Sequence, residues 1–182
     1  MSNDPDAGRR AEQRPQDPAS FTRYVIVPTL AVMEQKNRIP LSVAAVRMLV
    51  AIGWQESRFL WPVQVGSNGM VGPARGYWQF ERGGGVAGVL RHDASKVAAE
   101  WWCANREVAP EPEPVWRALE HDDMLACAFA RLLLWTDPRR LPEVEGAGWD
   151  CYVRNWRPGK PHPHTWAEAW ALGEAQARMV PA

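Results

Sequence analysis

The sequence predicts a mainly α domain, a helical bundle around one core helix, with a small loop or β-hairpin region forming one side of a cleft. Residues 41–55 carry only three polar side chains, and a helix that is apolar nearly all round is typically buried. Residues 59–79 then change to glycine, proline, asparagine and serine with isolated aromatics, which is typical of loops and short hairpins. We therefore expect a buried helix that ends next to an irregular region.

The remaining segments favour helix, and their strand signals are weak. Pro40 precedes the core helix at a position where helices commonly begin, whereas Pro28 interrupts the pattern of the preceding helix. Asp137 and Pro138 end a second strongly apolar helix. The predicted helices cover residues 21–37, 41–55, 86–103, 115–120, 122–135, 149–155 and 165–179.

One folded domain is expected over residues 21–182. Residues 1–20 are rich in proline, aspartate, arginine and glutamine, and we predict a disordered N-terminal lead-in there. The helical C-terminal part is rich in tryptophan, which suits cores, interfaces and sugar-binding clefts alike. Glycan binding, partner docking and core packing stay open for it, and packing is favoured. The tryptophans concerned are Trp149, Trp156, Trp166 and Trp170.

Charge and hydropathy argue against several classes of function. Lys and Arg number 21 and Asp and Glu number 21, so the formal net charge is zero. Nucleic acid is therefore not expected as a partner, because phosphate binding needs a basic surplus. No apolar run of about eighteen residues occurs, so stable membrane insertion is not expected. Residues 1–20 lack a signal-peptide core, and we expect synthesis in the cytoplasm without export through such a signal.

No metal site and no cofactor are expected. Cys103, Cys127 and Cys151 lie far apart without a C-x-x-C pair, which favours buried free thiols over disulfides or a zinc site. His162 and His164 lie close together, but nothing near them completes a set of metal ligands. A structural or solvent-facing role is favoured for both histidines.

Glu56 is out of place by local rules. It lies at the end of the predicted buried helix, where the helix dipole disfavours a carboxylate by about 0.3–1 kcal/mol. Apolar surroundings disfavour the charged form further, so both effects raise the pKa of this carboxyl group. A glutamic acid with a pKa near about 6 donates a proton near neutral pH. Glu56 is therefore a candidate catalytic acid, and the alternative is a helix-end residue that has already reached solvent.

The residues that follow Glu56 strengthen the catalytic interpretation. Ser57 comes next, and the segment GPARGYWQ occupies residues 72–79 after a glycine-rich loop. This pattern resembles the lysozyme-like lytic transglycosylases, in which a Glu-Ser pair closes a core helix and a G-A-x-G-L-M-Q segment follows. Tyr77 and Trp78 replace the Leu-Met pair, so the chain resembles a divergent, phage-type member. The resemblance covers roughly residues 40–92 and implies a lysozyme-like fold with a glycan cleft.

The resemblance also implies supporting roles near Glu56. Ser57 is expected to bond Glu56 or a substrate amide, and capping of backbone is the equally ordinary alternative. Gln79 offers an amide group for the N-acetyl groups of the substrate. Tyr77 and Trp78 are expected to form a sugar-stacking wall, with one of them facing the core.

A tyrosine near the catalytic glutamate is a further feature of the family. In the family it lies in an A-Y-N-A-G segment after a late apolar helix. Tyr152 takes this role here, although the Asn-Ala-Gly pattern is missing. The alternative for Tyr152 is a half-buried aromatic side chain without a catalytic connection.

The mechanism depends on the number of carboxylates. Most glycosidases use two, but no Asp or Glu occurs between Arg58 and Phe80. If Glu81 does not reach the cleft, Glu56 acts alone, first as acid and then as base. The resemblance implies that outcome: the MurNAc–GlcNAc β-1,4 bond breaks and the substrate's own 6-hydroxyl closes on C1, leaving a 1,6-anhydro end. Glu81 as a second carboxylate gives the alternative, hydrolysis as in goose-type lysozymes, and a solvated turn residue is its ordinary role.

The expected substrate is the glycan strand of peptidoglycan. A phage endolysin or virion-associated wall-piercing enzyme is favoured over an enzyme of a cellular secretion apparatus, with other virion proteins as candidate partners. Such an enzyme acts within the virion, or in the periplasm and cell wall at infection or lysis. The alternative from another class is a non-catalytic virion structural or peptidoglycan-binding protein with a degenerate lysozyme fold. The retention of Glu56, Ser57 and Gln79 together argues against it.

Overall fold

The computed structural model describes residues 17–65 and 69–180, except for the side chain of Val65. This part of the chain is mainly helical with a small three-stranded sheet, which confirms the predicted fold class. The helices are α1 (Pro18–Phe21), α2 (Val27–Asn37), α3 (Val43–Ser57), α4 (Ala87–Arg91), α5 (Lys96–Ala104), α6 (Pro112–Ala118), α7 (Asp123–Thr136), α8 (Glu145–Trp156) and α9 (Trp166–Ala177). The strands are β1 (Val63–Val65), β2 (Val71–Arg75) and β3 (Phe80–Glu81).

A π-helical turn, Thr22–Ile26, joins α1 to α2. It lies directly before Pro28, which has no N–H to donate and whose ring crowds the carbonyl one turn earlier. A wider turn accommodates such an interruption, so the helix continues past the proline. Asp17 caps the beginning of α1 by accepting a hydrogen bond from the Ser20 N–H at 2.9 Å. The predicted disorder is therefore wrong for residues 18–20, and residues 1–16 lie outside the described residues.

Helix α3 is the predicted core helix. Ser42 caps it by accepting the Ala45 N–H at 3.1 Å, and the helix begins and ends two residues later than expected. Its central residues are buried almost without interruption from Ala45 to Gly53. Helix α9 lies against α3 so closely that a β-carbon at Gly173 would come within 2.5 Å of the Arg47 carbonyl oxygen. At the other end of α3, Trp54 and Arg58 donate hydrogen bonds to Glu168 of α9.

The glycine-rich region forms the three-stranded sheet, in the order β1-β2-β3 with antiparallel pairs. Val63 pairs with Arg75 and Val65 with Val71, with an irregularity in register between the two pairs. The turn from β2 to β3 begins at Gly76, whose φ of 70° favours glycine. The structure therefore contains one strand more than the predicted hairpin.

The predicted single helix over residues 86–103 is wrong, because α4 and α5 are separate. The backbone is extended at His92, whose Nδ1 accepts the Ala94 N–H at 3.1 Å. The Ser95 hydroxyl donates to the carbonyl oxygen of Val89 at 2.7 Å. These side-chain bonds offer the backbone an alternative to a continuous helix.

The C-terminal tryptophans pack the core, as the sequence favoured. Trp166 and Trp170 are buried, and Trp149 and Trp156 are partly buried against the same core. The three cysteines are buried free thiols, also as predicted. Over the described ranges, we find no helix with the length and apolar character needed to cross a membrane.

Candidate functional site

The candidate site is built around the C-terminal end of α3. The helix ends because Arg58 adopts a left-handed conformation with φ of 52°, and Phe59 follows with the same φ. Left-handed backbone costs a non-glycine residue roughly 1–2 kcal/mol. Burial of the Phe59 ring offsets this cost, and the ring lies where a β-carbon on Gly53 would be. The chain thus turns sharply and leaves the Glu56 side chain in the last turn of the helix.

Glu56 is partly buried and bonded to a tyrosine. The Tyr152 hydroxyl donates a hydrogen bond to Glu56 Oε1 at 2.7 Å, although the two residues are 96 positions apart. Burial raises the pKa of Glu56 to about 7, and the Tyr152 hydrogen bond opposes the rise because it stabilises the carboxylate. Both forms of this carboxyl group are therefore populated near neutral pH.

Tyr152 is the tyrosine predicted from the resemblance, and the structure brings it to Glu56. Its side chain is only 3% exposed, so it is also the buried aromatic of the alternative. Burial and the neighbouring Glu56 carboxylate raise the pKa of Tyr152, which keeps its hydroxyl protonated. Tyr152 therefore acts as a fixed hydrogen-bond donor to Glu56.

An aromatic cluster holds Tyr152 in place. The Trp166 ring stacks on Tyr152 with centroids 5.3 Å apart and planes 14° apart. The Trp149 ring packs against Tyr152 at 5.4 Å and the Trp156 ring at 6.5 Å. Trp166 donates to the Glu145 carbonyl oxygen, which fixes the stacked ring at the beginning of α8. We call these four aromatic side chains, Trp149, Tyr152, Trp156 and Trp166, the C-terminal cluster.

Ser57 forms its hydrogen bonds with backbone groups rather than with Glu56. Its Oγ lies 2.8 Å from the Tyr77 carbonyl oxygen and 3.1 Å from the Gly53 carbonyl oxygen, and it accepts the Phe59 N–H at 3.2 Å. The predicted bond from Ser57 to Glu56 is therefore replaced by the capping role given as its alternative. Ser57 joins the end of α3 to the turn between β2 and β3.

Gln79 lies in that same turn and is partly buried. Its backbone is left-handed with φ of 51°, and its side-chain nitrogen donates to the Gly76 carbonyl oxygen at 3.0 Å. The backbone N–H of Gln79 donates to the same oxygen at 2.9 Å. These bonds fix the amide group in one orientation, and its contact with substrate stays a prediction.

The predicted sugar-stacking wall of Tyr77 and Trp78 is wrong. Tyr77 is 5% exposed and Trp78 is fully buried, so neither ring presents a face to solvent. Trp78 donates its indole N–H to the Leu49 carbonyl oxygen in the core helix, and Tyr77 packs edge-on against Phe21 at 5.2 Å. The tight turn after Gly76 places both consecutive side chains in the core. Both rings therefore stabilise the fold around the site.

Glu81 lies in β3, where it is exposed and its Cα pairs with Ala74. Among the residues that the structure describes, no carboxylate contributes to the pKa shift of Glu56, which comes from burial and Tyr152. A second acid, the partly buried Asp123, has its pKa raised to about 6 by burial and the charge of Asp122. Asp123 is the first residue of α7, which Asp122 caps by accepting the Leu125 N–H at 2.8 Å. Among the described residues, neither Asp123 nor Glu81 influences the pKa of Glu56.

Sequence reasoning missed the two tryptophans that the structure makes relevant. Trp166 positions the tyrosine, and only its stack on Tyr152 reveals this. Trp61 follows the helix end and is 36% exposed. Its position as the first tryptophan after Glu56, next to a proline that ends the turn, is the one signal in the sequence.

A separate polar hollow of about 210 Å³ lies on the other side of the helix end. Gln55 donates to the His162 carbonyl oxygen there, and Arg58 forms a 3.0 Å ion pair with Glu168. His162 and His164 are exposed, which agrees with the solvent-facing role favoured for them. In residues 17–65 and 69–180, no group of three or more potential metal ligands occurs.

The site thus combines a carboxyl group of raised pKa, a tyrosine that donates to it, and a well-ordered turn carrying Gln79. Comparisons with family models, with curated proteins and with solved structures gave no match to the chain.

Proposed function

We propose that this protein is a peptidoglycan lytic transglycosylase in which Glu56 serves as the single acid and base. The pKa of Glu56, raised to about 7 and with no contribution from a second carboxylate among the described residues, carries the proposal. A general acid works best when its pKa lies near the operating pH, because enough of it is then protonated and willing to donate. The resemblance of residues 40–92 to the lytic transglycosylases supports the same chemistry.

In the first step, protonated Glu56 donates its proton to the glycosidic oxygen between MurNAc and GlcNAc. The bond from C1 to that oxygen breaks with its electron pair leaving on the oxygen, and positive charge develops on the sugar. Glu56 is now a carboxylate, and the hydrogen bond from Tyr152 stabilises this form.

In the second step, the Glu56 carboxylate removes the proton from the 6-hydroxyl of the same muramic acid. The freed oxygen forms a bond to C1 and closes the 1,6-anhydro ring. The proton has returned to Glu56, no water has been consumed, and the enzyme is ready for the next strand. One carboxyl group with a pKa near neutrality can serve both steps, because it is neither a permanent anion nor a permanent acid.

The proposed partner is therefore the glycan strand of peptidoglycan, and the phage or virion setting stays a prediction. A tyrosine donor at 2.7 Å from a partly buried carboxyl group favours catalysis over a purely structural role for this helix end. A degenerate, non-catalytic protein has no need to maintain that pair.

Purified peptidoglycan sacculi provide the test, with the wild type compared with Glu56→Gln and with Glu81→Gln as a matched control. We expect the wild type and Glu81→Gln to release muropeptides ending in 1,6-anhydro-muramic acid, and Glu56→Gln to be at least ~100-fold slower, the scale of losing an acid–base group. Equal activity of Glu56→Gln, or no activity from folded wild type, would refute catalysis by Glu56. Products one water heavier, with loss of activity in Glu81→Gln, would identify a two-carboxylate hydrolase instead.

A further inference from the structure

The tryptophans differ in their contacts within the protein. All eleven lie within the described residues, and ten of them form a hydrogen bond, a ring contact or a cation–π contact. Trp61 forms none of these. The contacts of the other ten tryptophans are indole N–H hydrogen bonds, packing against other aromatic rings and stacking of arginine side chains on the indole. An indole is large and apolar, so leaving one unengaged at the surface forgoes substantial burial.

The backbone at Trp61 is well anchored even though its ring is not. Leu60 donates to the Ser57 carbonyl oxygen at 2.9 Å, and the Pro62 carbonyl oxygen accepts the Gly76 N–H at 2.7 Å. Pro62 is buried, while the Trp61 ring remains 36% exposed. The ring is therefore presented by a fixed segment, and binding a ligand there costs little ordering of the backbone.

Trp61 also lies close to the proposed catalytic group. Trp61 is five positions after Glu56, so the chain between them spans at most ~18 Å even when fully extended. The turn at Ser57 and Leu60 shortens the path further. The bond from Pro62 to Gly76 and the contact of Ser57 with the Tyr77 carbonyl oxygen tie this segment to the turn that carries Gln79. A glycan strand bound at Glu56 would thus have the aromatic ring of Trp61 within a few sugar residues along its length.

Two further apolar side chains are exposed at the beginning of β2, the strand that pairs with β1. Met70 is 67% exposed and Val71 is 37% exposed at the beginning of β2. We call Trp61, Met70 and Val71 the loop patch. These three side chains are exposed, whereas the aromatic residues of the C-terminal cluster are buried or partly buried.

We propose that Trp61 is a stacking platform for a sugar ring of the peptidoglycan strand. The proposal rests on the proposed function, because it takes its ligand from that reaction. A pyranose ring has a flat face of C–H groups, and this face removes the exposed part of an indole from water while the sugar hydroxyls stay hydrated. Trp61 thereby supplies the aromatic contact that Tyr77 and Trp78, both buried, cannot supply.

Binding is measured in the Glu56→Gln background, so that the strand is not cut. The probes are insoluble sacculi in a co-sedimentation assay and a soluble GlcNAc oligosaccharide in calorimetry. Trp61→Ala is expected to weaken binding about tenfold, and Trp61→Phe less, because it keeps a smaller aromatic face. Trp135→Ala is the matched control, since Trp135 is 38% exposed but lies on α7, and it should bind as the background does. Thermal unfolding of each variant checks that the fold is retained.

Unchanged affinity in Trp61→Ala, or an equal loss in Trp135→Ala, overturns the stacking proposal. Binding of anionic lipid vesicles that depends on Trp61, without dependence for glycan, overturns it as well. The two proposals fail in different ways. If Glu56→Gln still cuts sacculi while Trp61→Ala weakens glycan binding, catalysis by Glu56 is refuted and the platform stands. If Glu56→Gln is inactive while Trp61→Ala binds normally, only the platform is refuted.

Discussion

The C-terminal cluster and the loop patch differ in burial and in ring contacts. In the C-terminal cluster, Tyr152 and Trp166 are nearly fully buried and stacked on each other. In the loop patch, Trp61 and Met70 are exposed. Tyr152 of the C-terminal cluster donates a hydrogen bond to Glu56, whereas the side chains of the loop patch are exposed to solvent.

A tryptophan side chain can stabilise the fold or bind a ligand, and a tryptophan-rich sequence alone does not show which. The difference in burial between the two groups assigns one role to each. A buried ring stabilises the fold and sets the environment of a neighbouring group, because its apolar surface is already removed from water. An exposed ring on an anchored backbone can still gain the free energy of burial when a ligand covers it. We therefore expect the C-terminal cluster to control stability and the pKa of Glu56, and the loop patch to control binding.

The largest effect is expected from truncating the stacked ring. Trp166→Ala should lower the free energy of unfolding by about 3–5 kcal/mol, the usual cost of removing a large buried aromatic side chain. Trp61→Ala should lower it by clearly less, since the Trp61 ring is 36% exposed and forms no ring contact or hydrogen bond. Urea unfolding of the two variants measures both values. Similar losses in the two variants would break the distinction between the two groups.

The second effect concerns stability and pH. Folding raises the pKa of Glu56 from 4.5 to about 7, so the folded state holds the proton more tightly. The contribution of Glu56 to stability should therefore fall by about 3 kcal/mol as the pH rises from 4.5 through 7, and level off above the folded pKa. Glu56→Gln keeps an acceptor for Tyr152 without the charge, so it should be more stable than wild type at pH 8 and equal to it near pH 4. A gap between the two proteins that does not vary with pH would contradict the account.

The third effect is the removal of one hydroxyl group. Tyr152→Phe keeps the stack on Trp166 but deletes the donor to Glu56, so activity on sacculi should fall by about ten- to a hundredfold, or ~1.5–3 kcal/mol. The pKa of Glu56 should rise further, because the bond that stabilised the carboxylate is gone. The basic limb of the pH–rate profile should then move to higher pH. Trp61→Ala is the control, since it should alter binding while the limb stays in place.

The sequence predicts the part of the site that depends on hydrophobic pattern. The apolar run of α3 identifies the buried helix, and Glu56 is conspicuous at its end because a carboxylate suits that position poorly. Tyr152 came only through family resemblance, since no local rule connects two residues that are 96 positions apart. The stack of Trp166 on Tyr152 is equally non-local, and no pattern in the chain indicates it.

Orientation within turns could not be predicted. Tyr77 and Trp78 are adjacent, and alternation along a strand would place one of them outside. The left-handed conformation at Gln79 and the turn from Gly76 break that alternation, so both rings enter the core. The exposure of Trp61 has the same origin, because two left-handed residues at Arg58 and Phe59 decide which way the chain leaves the helix.

Catalysis by Glu56 as the single acid and base depends most directly on its protonation near neutral pH. Carbon-13 NMR of the carboxyl groups of labelled protein can follow this residue, with its signal assigned by its loss in Glu56→Gln. We predict a titration midpoint of about 7 in the folded wild type, moving upward in Tyr152→Phe. A midpoint near the ordinary value of 4.5, unaffected by the loss of the Tyr152 hydroxyl, would contradict the role of Glu56 as the single acid and base.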